Sequence, residues 1–296
     1  MQYHFMSRLA AVLISAALCA PVTASAEDGT MQFRLTAAKT YFTEEALRSG
    51  DALTDGALRI DNYSGLSYLR LHLVSDDPVS IENLDFARDP SRKEPDGSYK
   101  QCYFETHGDT ALSIPDENGK SKNICLWYGP GKVEPQNGVV ENPDSPFLTF
   151  SVRVPQGTKA GVYQANLSKE VTISDVGQKE YDFQAYSGSD RVDVPCVPLQ
   201  IVVEPEALLG DVDCSGTVEF YDASLALRLF TLTSSGGFEL TDDEIAEITG
   251  TPYIHTALTA ADVDRNQKIE ASDASAILVY ETMKMISLNP SWDDLT

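Results

Sequence analysis

The chain has 296 residues and a formal charge of -23, with 45 acidic side chains against 22 basic ones. That length supports one sizeable core and a small second module, and that acidity argues against nucleic acid or an anionic membrane as a partner, since both attract basic surfaces. Beyond residue 26 the cysteines are Cys102, Cys125, Cys196 and Cys214; they include no CxxC spacing and lie far apart, a pattern unlike a zinc site.

At the N-terminus Arg8 precedes an apolar run over 9–20, followed by Ala24, Ser25 and Ala26. This is the layout of a secretory signal peptide, 1–26, cleaved after Ala26. No later stretch reaches the ~20 apolar residues that a membrane helix needs, so an exported, soluble, extracellular protein is expected. Export permits disulfides. Cys102 and Cys125 are placed to bridge neighbouring strands, with connectivity left open by sequence, and Cys214 reads as a free thiol.

Residues 27–206 read as one domain. Short β-rich runs are predicted as strands over 32–38, 57–62, 67–74, 122–128, 147–154, 161–167 and 197–203, with one short helix over 43–49. Turn signals separate them, among them Asp77 with Pro78, Asp96 with Gly97, Pro155 to Gly157 and Gly188. The expected fold class is mainly β: an antiparallel β-sandwich of jelly-roll or immunoglobulin-like kind, followed by a small α-helical module over 207–296. No catalytic residue is assigned. Glycoside hydrolysis needs two placed carboxylates, and nothing singles a pair out; His72 and His107 lack the Ser-His-Asp, GxSxG or HExxH context of a catalytic histidine. Aromatic residues in loop-rich segments, Tyr99, Tyr103, Trp127, Tyr128, Tyr181 and Tyr186, leave sugar stacking open as an alternative, with plant polysaccharide as ligand.

Two acidic twelve-residue loops follow, 211–222 and 262–273, starting 51 positions apart. Oxygen-bearing side chains stand at positions 1, 3, 5, 9 and 12, and position 7 supplies a backbone carbonyl, the alternation by which a tight turn wraps a hard cation. The candidate calcium ligands are Asp211, Asp213, Ser215, Thr217, Glu219 and Asp222 in the first loop, and Asp262, Asp264, Asn266, Lys268, Glu270 and Asp273 in the second. Two calcium ions are expected. An EF-hand loop closes with Glu at position 12; these close with Asp, and the segment before Asp211 reads as strand and linker. Gln267 stands at position 6, where Gly216 serves the first copy and a positive φ is favoured, so the second site is expected to be the more strained. Each loop leads into one helix, and the two copies agree at Asp, Val, Asp, Glu, Asp, Ala, Ser and Leu. Between them, 231–256 is an insertion with its own helical stretch, in which Thr241 and Glu244 form a predicted capping box.

On these loops, residues 208–287 resemble a dockerin. That resemblance implies two calcium loop-and-helix repeats packed antiparallel, docking into a cohesin of a cellulosomal scaffoldin. It implies contacts at the helix starts and beyond: Phe220, Tyr221, Leu225 and Arg228 in one copy, Ala271, Ser272 and Val279 in the other. Across 31–204, Gly50 with Asp51, the run 62–73 from Asn62, and the run 147–163 through Pro155, Ala160, Gly161 and Tyr163 resemble a cohesin. Cohesins bind dockerins through one flat sheet face. Together the resemblances imply a non-catalytic adaptor scaffoldin of the cellulosome, with a dockerin-bearing protein as its second partner; the alternative is a dockerin-borne module that binds or acts on polysaccharide.

Overall fold

The computed structural model describes residues 29–93, 95–101, 110–115, 121–128, 145–173, 175–236, 240–286 and 288–295. The expected signal peptide (1–26), Cys102, Tyr103 and His107 lie outside the described residues, as do the side chains of Tyr99, Trp127 and Tyr128. No helix among the described residues is long and apolar enough to cross a membrane.

The N-terminal part is built from strands β1 (Gln32–Ala37), β2 (Tyr41–Thr43), β3 (Ala52–Asp61), β4 (Tyr68–Ser75), β5 (Ser80–Phe86), β6 (Arg88–Lys93), β7 (Tyr99–Gln101), β8 (Thr110–Pro115) and β9 (Ser121–Tyr128). It continues through β10 (Leu148–Val154), β11 (Gly161–Leu167), β12 (Val171–Ile173), β13 (Lys179–Tyr181), β14 (Gln184–Ser187), β15 (Asp190–Arg191), β16 (Cys196–Val197) and β17 (Leu199–Glu204). One sheet runs β16-β1-β3-β10-β5. The other runs β15-β14-β4-β11-β17-β2, with β9 on the far side of β4 and β8 beyond it.

Alternation makes this a sandwich. In β10, Leu148, Phe150, Val152 and Val154 are buried while Thr149 and Arg153 are exposed; in β4, Leu69, Leu71 and Leu73 point inward. Side chains of period two can bury only one face of a strand, so the two sheets close over a shared core. Gly56 of β3 pairs with Phe150, and a Cβ there would stand 2.1 Å from the Phe150 ring; glycine leaves the room in which that ring lies. Asn123, 2% exposed, ties the layers together, donating to the Ile81 carbonyl at 3.0 Å and accepting from Ser113 Oγ at 2.6 Å.

The sheets are mixed rather than wholly antiparallel: β1 pairs with β16, and β17 with β2, in parallel. Both departures involve two- and three-residue edge strands reached by long crossings of the chain, which leave no local hairpin signal. The helix expected over 43–49 is a single 3-10 turn, Ala46–Arg48. Strands β2, β5 to β8 and β12 to β15 went unpredicted.

Among the described residues the C-terminal part has four α-helices: α1 (Phe220–Gly236), α2 (Asp242–Thr249), α3 (Ile254–Ala261) and α4 (Ala271–Met285). Buried Ala226 and Leu229 of α1 meet Ala276 and Ile277 of α4 in a small core with Val212, Val218, Ile248 and Val263. Lys284, near the end of α4, donates to the Val218 carbonyl just ahead of α1 at 3.1 Å, so the two helices run in opposite directions. The insertion, 231–256, takes in the end of α1, all of α2 and the first turn of α3. Thr241 and Glu244 form the capping box at the start of α2, and Gly250 at φ 74° ends that helix. In the closing turn, Trp292 stacks on Tyr280 at 4.2 Å between ring centroids. Its ring also covers Gly210, where a Cβ would meet it at 2.7 Å.

Candidate metal centres and binding faces

The two acidic loops share one backbone framework. In the first, Asp211 accepts from the N–H groups of Ser215 and Gly216, both at 2.9 Å, and Asp213 from that of Ser215 at 3.0 Å. Asp222 closes the ring, accepting from Val212 at 2.8 Å, Asp213 at 3.2 Å and Glu219 at 2.7 Å. In the second, Asp262 accepts from Asn266 at 3.1 Å and Gln267 at 2.8 Å, Asp264 from Asn266 at 3.0 Å, and Asp273 from Val263 at 3.1 Å and Glu270 at 2.8 Å. The turns match too: position 4 has positive φ in both (Cys214 55°, Arg265 59°), as does position 6 (Gly216 90°, Gln267 68°). Gln267 thus adopts the left-handed backbone that glycine holds at no steric cost in the other loop.

Among the remaining expected ligands, Ser215 Oγ lies 3.2 Å from the Thr217 carbonyl, and Asn266 Oδ1 accepts from the Lys268 N–H at 2.9 Å. Glu219 and Glu270 sit at the loop rims, 3.4 Å from Thr217 Oγ1 and 3.3 Å from Asn266 Nδ2 respectively. These contacts bring the expected positions together in each loop.

The geometry fits a hard dication. In each loop three carboxylates (Asp211, Asp213, Asp222 and Asp262, Asp264, Asp273) converge with ligand atoms within 4.8 Å of one another. Oxygens around calcium at about 2.3–2.6 Å span at most about 5 Å. Electrostatics point the same way. Burial, reinforced by Asp213, pushes Asp222 up to about 6 against the backbone donors that hold it down. Asp211 is raised by burial and by Asp213, and Asp273 by burial and by Asp264. A cation among them removes that penalty. Cys214 is a thiol pushed up to about 12, first by burial and then by Asp211, and among the described residues it is in no disulfide. The first site is the more enclosed, with Asp211 at 4% and Asp222 at 1% exposure, whereas Asp264 is exposed.

The outer side of the helix pair is apolar. Phe220 and Tyr221, at 43% and 59% exposure, and Val279 at 44% stand open, with Arg228, Ala271 and Ser272 also exposed. Leu225 does not: at 3% exposure it packs into the helical core. Facing outward instead are Leu227 and Leu278, at 47% and 48%. They are equivalent positions of the two repeats, and the leucine shared between the copies was the signal for them.

The sandwich has two unlike outer faces. On the five-stranded sheet Arg34 pairs with Asp61 at 2.7 Å, and Arg153 pairs with Asp51 and Glu82, so that face is laced with charge. On the other sheet, exposed Leu112 and Ile114 of β8 (46% and 48%) pair in register with Ile124 and Lys122 of β9. Ile124 and Leu126 in turn lie beside His72 and Arg70 of β4. His72 is held by Asp182, with Nδ1 at 3.0 Å from Oδ2, and Ser168 donates to that same oxygen at 2.8 Å. Burial raises Asp182, but these two bonds outweigh it and leave the carboxyl below its ordinary range. Ser168 is therefore directed at the carboxylate rather than at the imidazole, unlike a nucleophile facing its base. Of the aromatic platform, Tyr181 lies under Arg191 at 4.1 Å and Tyr186 meets Tyr68 edge-on at 5.9 Å.

No protein-family model matches the chain, and no curated protein matches it. Among solved structures it is similar to a type III cohesin module from the cell-surface anchoring scaffoldin of Ruminococcus flavefaciens, at 11% identity over 62% of this chain and 92% of that one, with a TM-score of 0.36. A type I cohesin from Pseudobacteroides cellulosolvens is similar at 15% identity over 60% and 96%, TM-score 0.33. A type II cohesin domain from the cellulosome of Acetivibrio cellulolyticus is similar at 12% over 58% and 95%, TM-score 0.33.

The site thus consists of three separate features: two carboxylate rings at the starts of α1 and α4, an apolar strip along the outside of those helices, and a small exposed apolar patch, Leu112 and Ile114, on β8.

Proposed function

We propose that this protein is a non-catalytic assembly component of a cellulosome, an adaptor scaffoldin with two different docking ends. Its helical module acts as a dockerin: Asp211, Asp213, Asp222 and their counterparts Asp262, Asp264, Asp273 hold two calcium ions, and the ions fix α1 and α4 so that Phe220, Tyr221, Leu227, Leu278 and Val279 meet a cohesin. Its sandwich acts as a cohesin, receiving a dockerin-bearing protein on the face of β8, β9 and β4. The observation that carries the reading is the duplicated carboxylate ring, in which the same backbone donors hold the same three positions twice. Exposed Leu112 and Ile114, flanked by Lys122, Arg70 and His72, support the sandwich half, because an interface sets a small apolar centre within a polar rim.

Full-length protein immobilised in calcium and challenged with a cellulolytic secretome tests both ends. Leu112→Asp with Ile114→Asp is expected to lose dockerin-bearing enzymes and keep cohesin-bearing scaffoldins; Phe220→Ala with Tyr221→Ala is expected to do the reverse. Wild-type protein that retains neither class, yet binds insoluble plant cell wall, would make the sandwich a carbohydrate-binding module instead.

A further inference from the structure

Helix α3 touches three parts of the molecule. At its first turn the carboxylate of Glu204, the last residue of β17 and only 2% exposed, accepts from the His255 N–H at 2.9 Å and lies 3.3 Å from His255 Nδ1. Thr256 Oγ1 donates to the Pro205 carbonyl at 3.0 Å, and the Tyr41 ring of β2 meets the His255 imidazole edge-on at 4.8 Å. A buried carboxylate is costly unless it is bonded, and an unpaired N–H at a helix start is the partner it finds here. At the other end the Ala260 carbonyl accepts from Gly210, the residue before Asp211, at 2.8 Å. Two residues later the chain enters Asp262. Between the two ends Ala257, Ala260 and Ala261 are fully buried. Thr251, in the turn before α3, is 5% exposed and accepts from the Tyr253 N–H at 3.3 Å.

We propose that α3 is a strut that couples calcium occupancy of both loops to the seating of the helical module on the sandwich. The inference rests on the calcium reading given above. A loop whose ends are already held has less chain to order when the ion arrives, so a seated strut raises calcium affinity. The coupling is reciprocal: calcium must tighten the joint by the same factor. Loaded with calcium, the protein is a bracket with its two docking faces at a fixed angle; without calcium the module swings on residues 205–210.

The test uses the full chain and two substitutions outside the metal loops, Glu204→Gln and Thr256→Val, read by calcium calorimetry and by small-angle scattering with and without the ion. Wild type should take two calcium ions and become more compact. Both substitutions should weaken calcium binding, Glu204→Gln by roughly fivefold or more, the lower range of allosteric coupling, and both should broaden the loaded scattering profile while the sandwich melts as before. Two ions bound at unchanged affinity in both variants would overturn the strut and leave the metal sites standing. If wild type took up no calcium, the metal reading would fall and the strut with it. Should Glu204→Gln fail to fold, Thr256→Val, which removes one hydroxyl at nearly constant shape, decides alone.

Discussion

Replacing Asp222 with Asn separates the role of this carboxylate in folding from its role toward a cation. Asp222 is 1% exposed and takes three backbone N–H groups on its two oxygens. Asparagine keeps one oxygen, so either the Val212 and Asp213 donors or the Glu219 donor must face an NH2 group. Losing a hydrogen bond to a charged acceptor costs about 1.5–3 kcal/mol. Against that, the carboxylate stands at about 6 because burial and Asp213 disfavour its charge, and asparagine relieves that strain. Without calcium the two effects oppose, and melting of the helical module should move by only a few degrees. With calcium they no longer do. A site filled at a thousandfold excess over its Kd contributes about 4 kcal/mol; at about 4–8 °C per kcal/mol for a module of this size, Asp222→Asn should forfeit roughly 15–30 °C of calcium-induced stabilisation. Thermal circular dichroism of the full chain with and without calcium, with calorimetric stoichiometry, reads both halves. A variant that gains as much from calcium as wild type would refute the assignment of Asp222 as a ligand.

Chelation should lower the melting transition of residues 208–287 by many degrees and leave that of the sandwich in place; a helical transition indifferent to EDTA contradicts this. The pH dependence has a definite sign. Asp222 titrates near 6 when folded, above the ~3.9 of an unfolded Asp, so the calcium-free fold binds more protons and is stabilised as pH falls from about 7 toward 5. With calcium the sign reverses, since protons compete for the same oxygens; melting series with and without the ion should slope in opposite directions. Gly56→Ala places a methyl 2.1 Å from the Phe150 ring and should destabilise the sandwich by about 1–3 kcal/mol in chemical denaturation, with no change in calcium affinity. On the helix pair, Phe220→Ala with Tyr221→Ala should weaken cohesin binding by tenfold or more, as aromatic anchors do, whereas Ala271→Asp should do little. The opposite ranking in a titration would reverse the docking orientation.

The acidic loops were legible in the sequence because all of their determinants fall within twelve residues. Spacing alone brings position 1 beside the N–H groups of positions 5 and 6, and duplication supplies an internal control: Gly216 and Gln267 hold the same backbone despite their chemistry. The helix face was half legible. Leu225, Leu227 and Leu229 alternate in sequence, so composition does not say which is outside. The helical phase does, burying Leu225, Ala226 and Leu229 together and leaving Leu227 out. The sandwich showed its strongly alternating strands and concealed β2 and β16, whose parallel pairing depends on where distant segments of chain arrive.

The joint was the least legible feature, and for a physical reason. Glu204 ends an apolar strand in a chain rich in acids, and nothing near it in sequence distinguishes it from a solvated carboxylate. Its partner, the N–H of His255, lies 51 residues on. An exposed acid and a buried one have the same letter, and only the fold reveals that Glu204 is 2% exposed while Glu206, two residues later, pairs with Arg48 in solvent. Such an exposed pair contributes little. Burial turns Glu204 from surface charge into a fixed anchor, so the insertion that lengthens the spacing between the two loops is also the segment by which they are held to the sandwich.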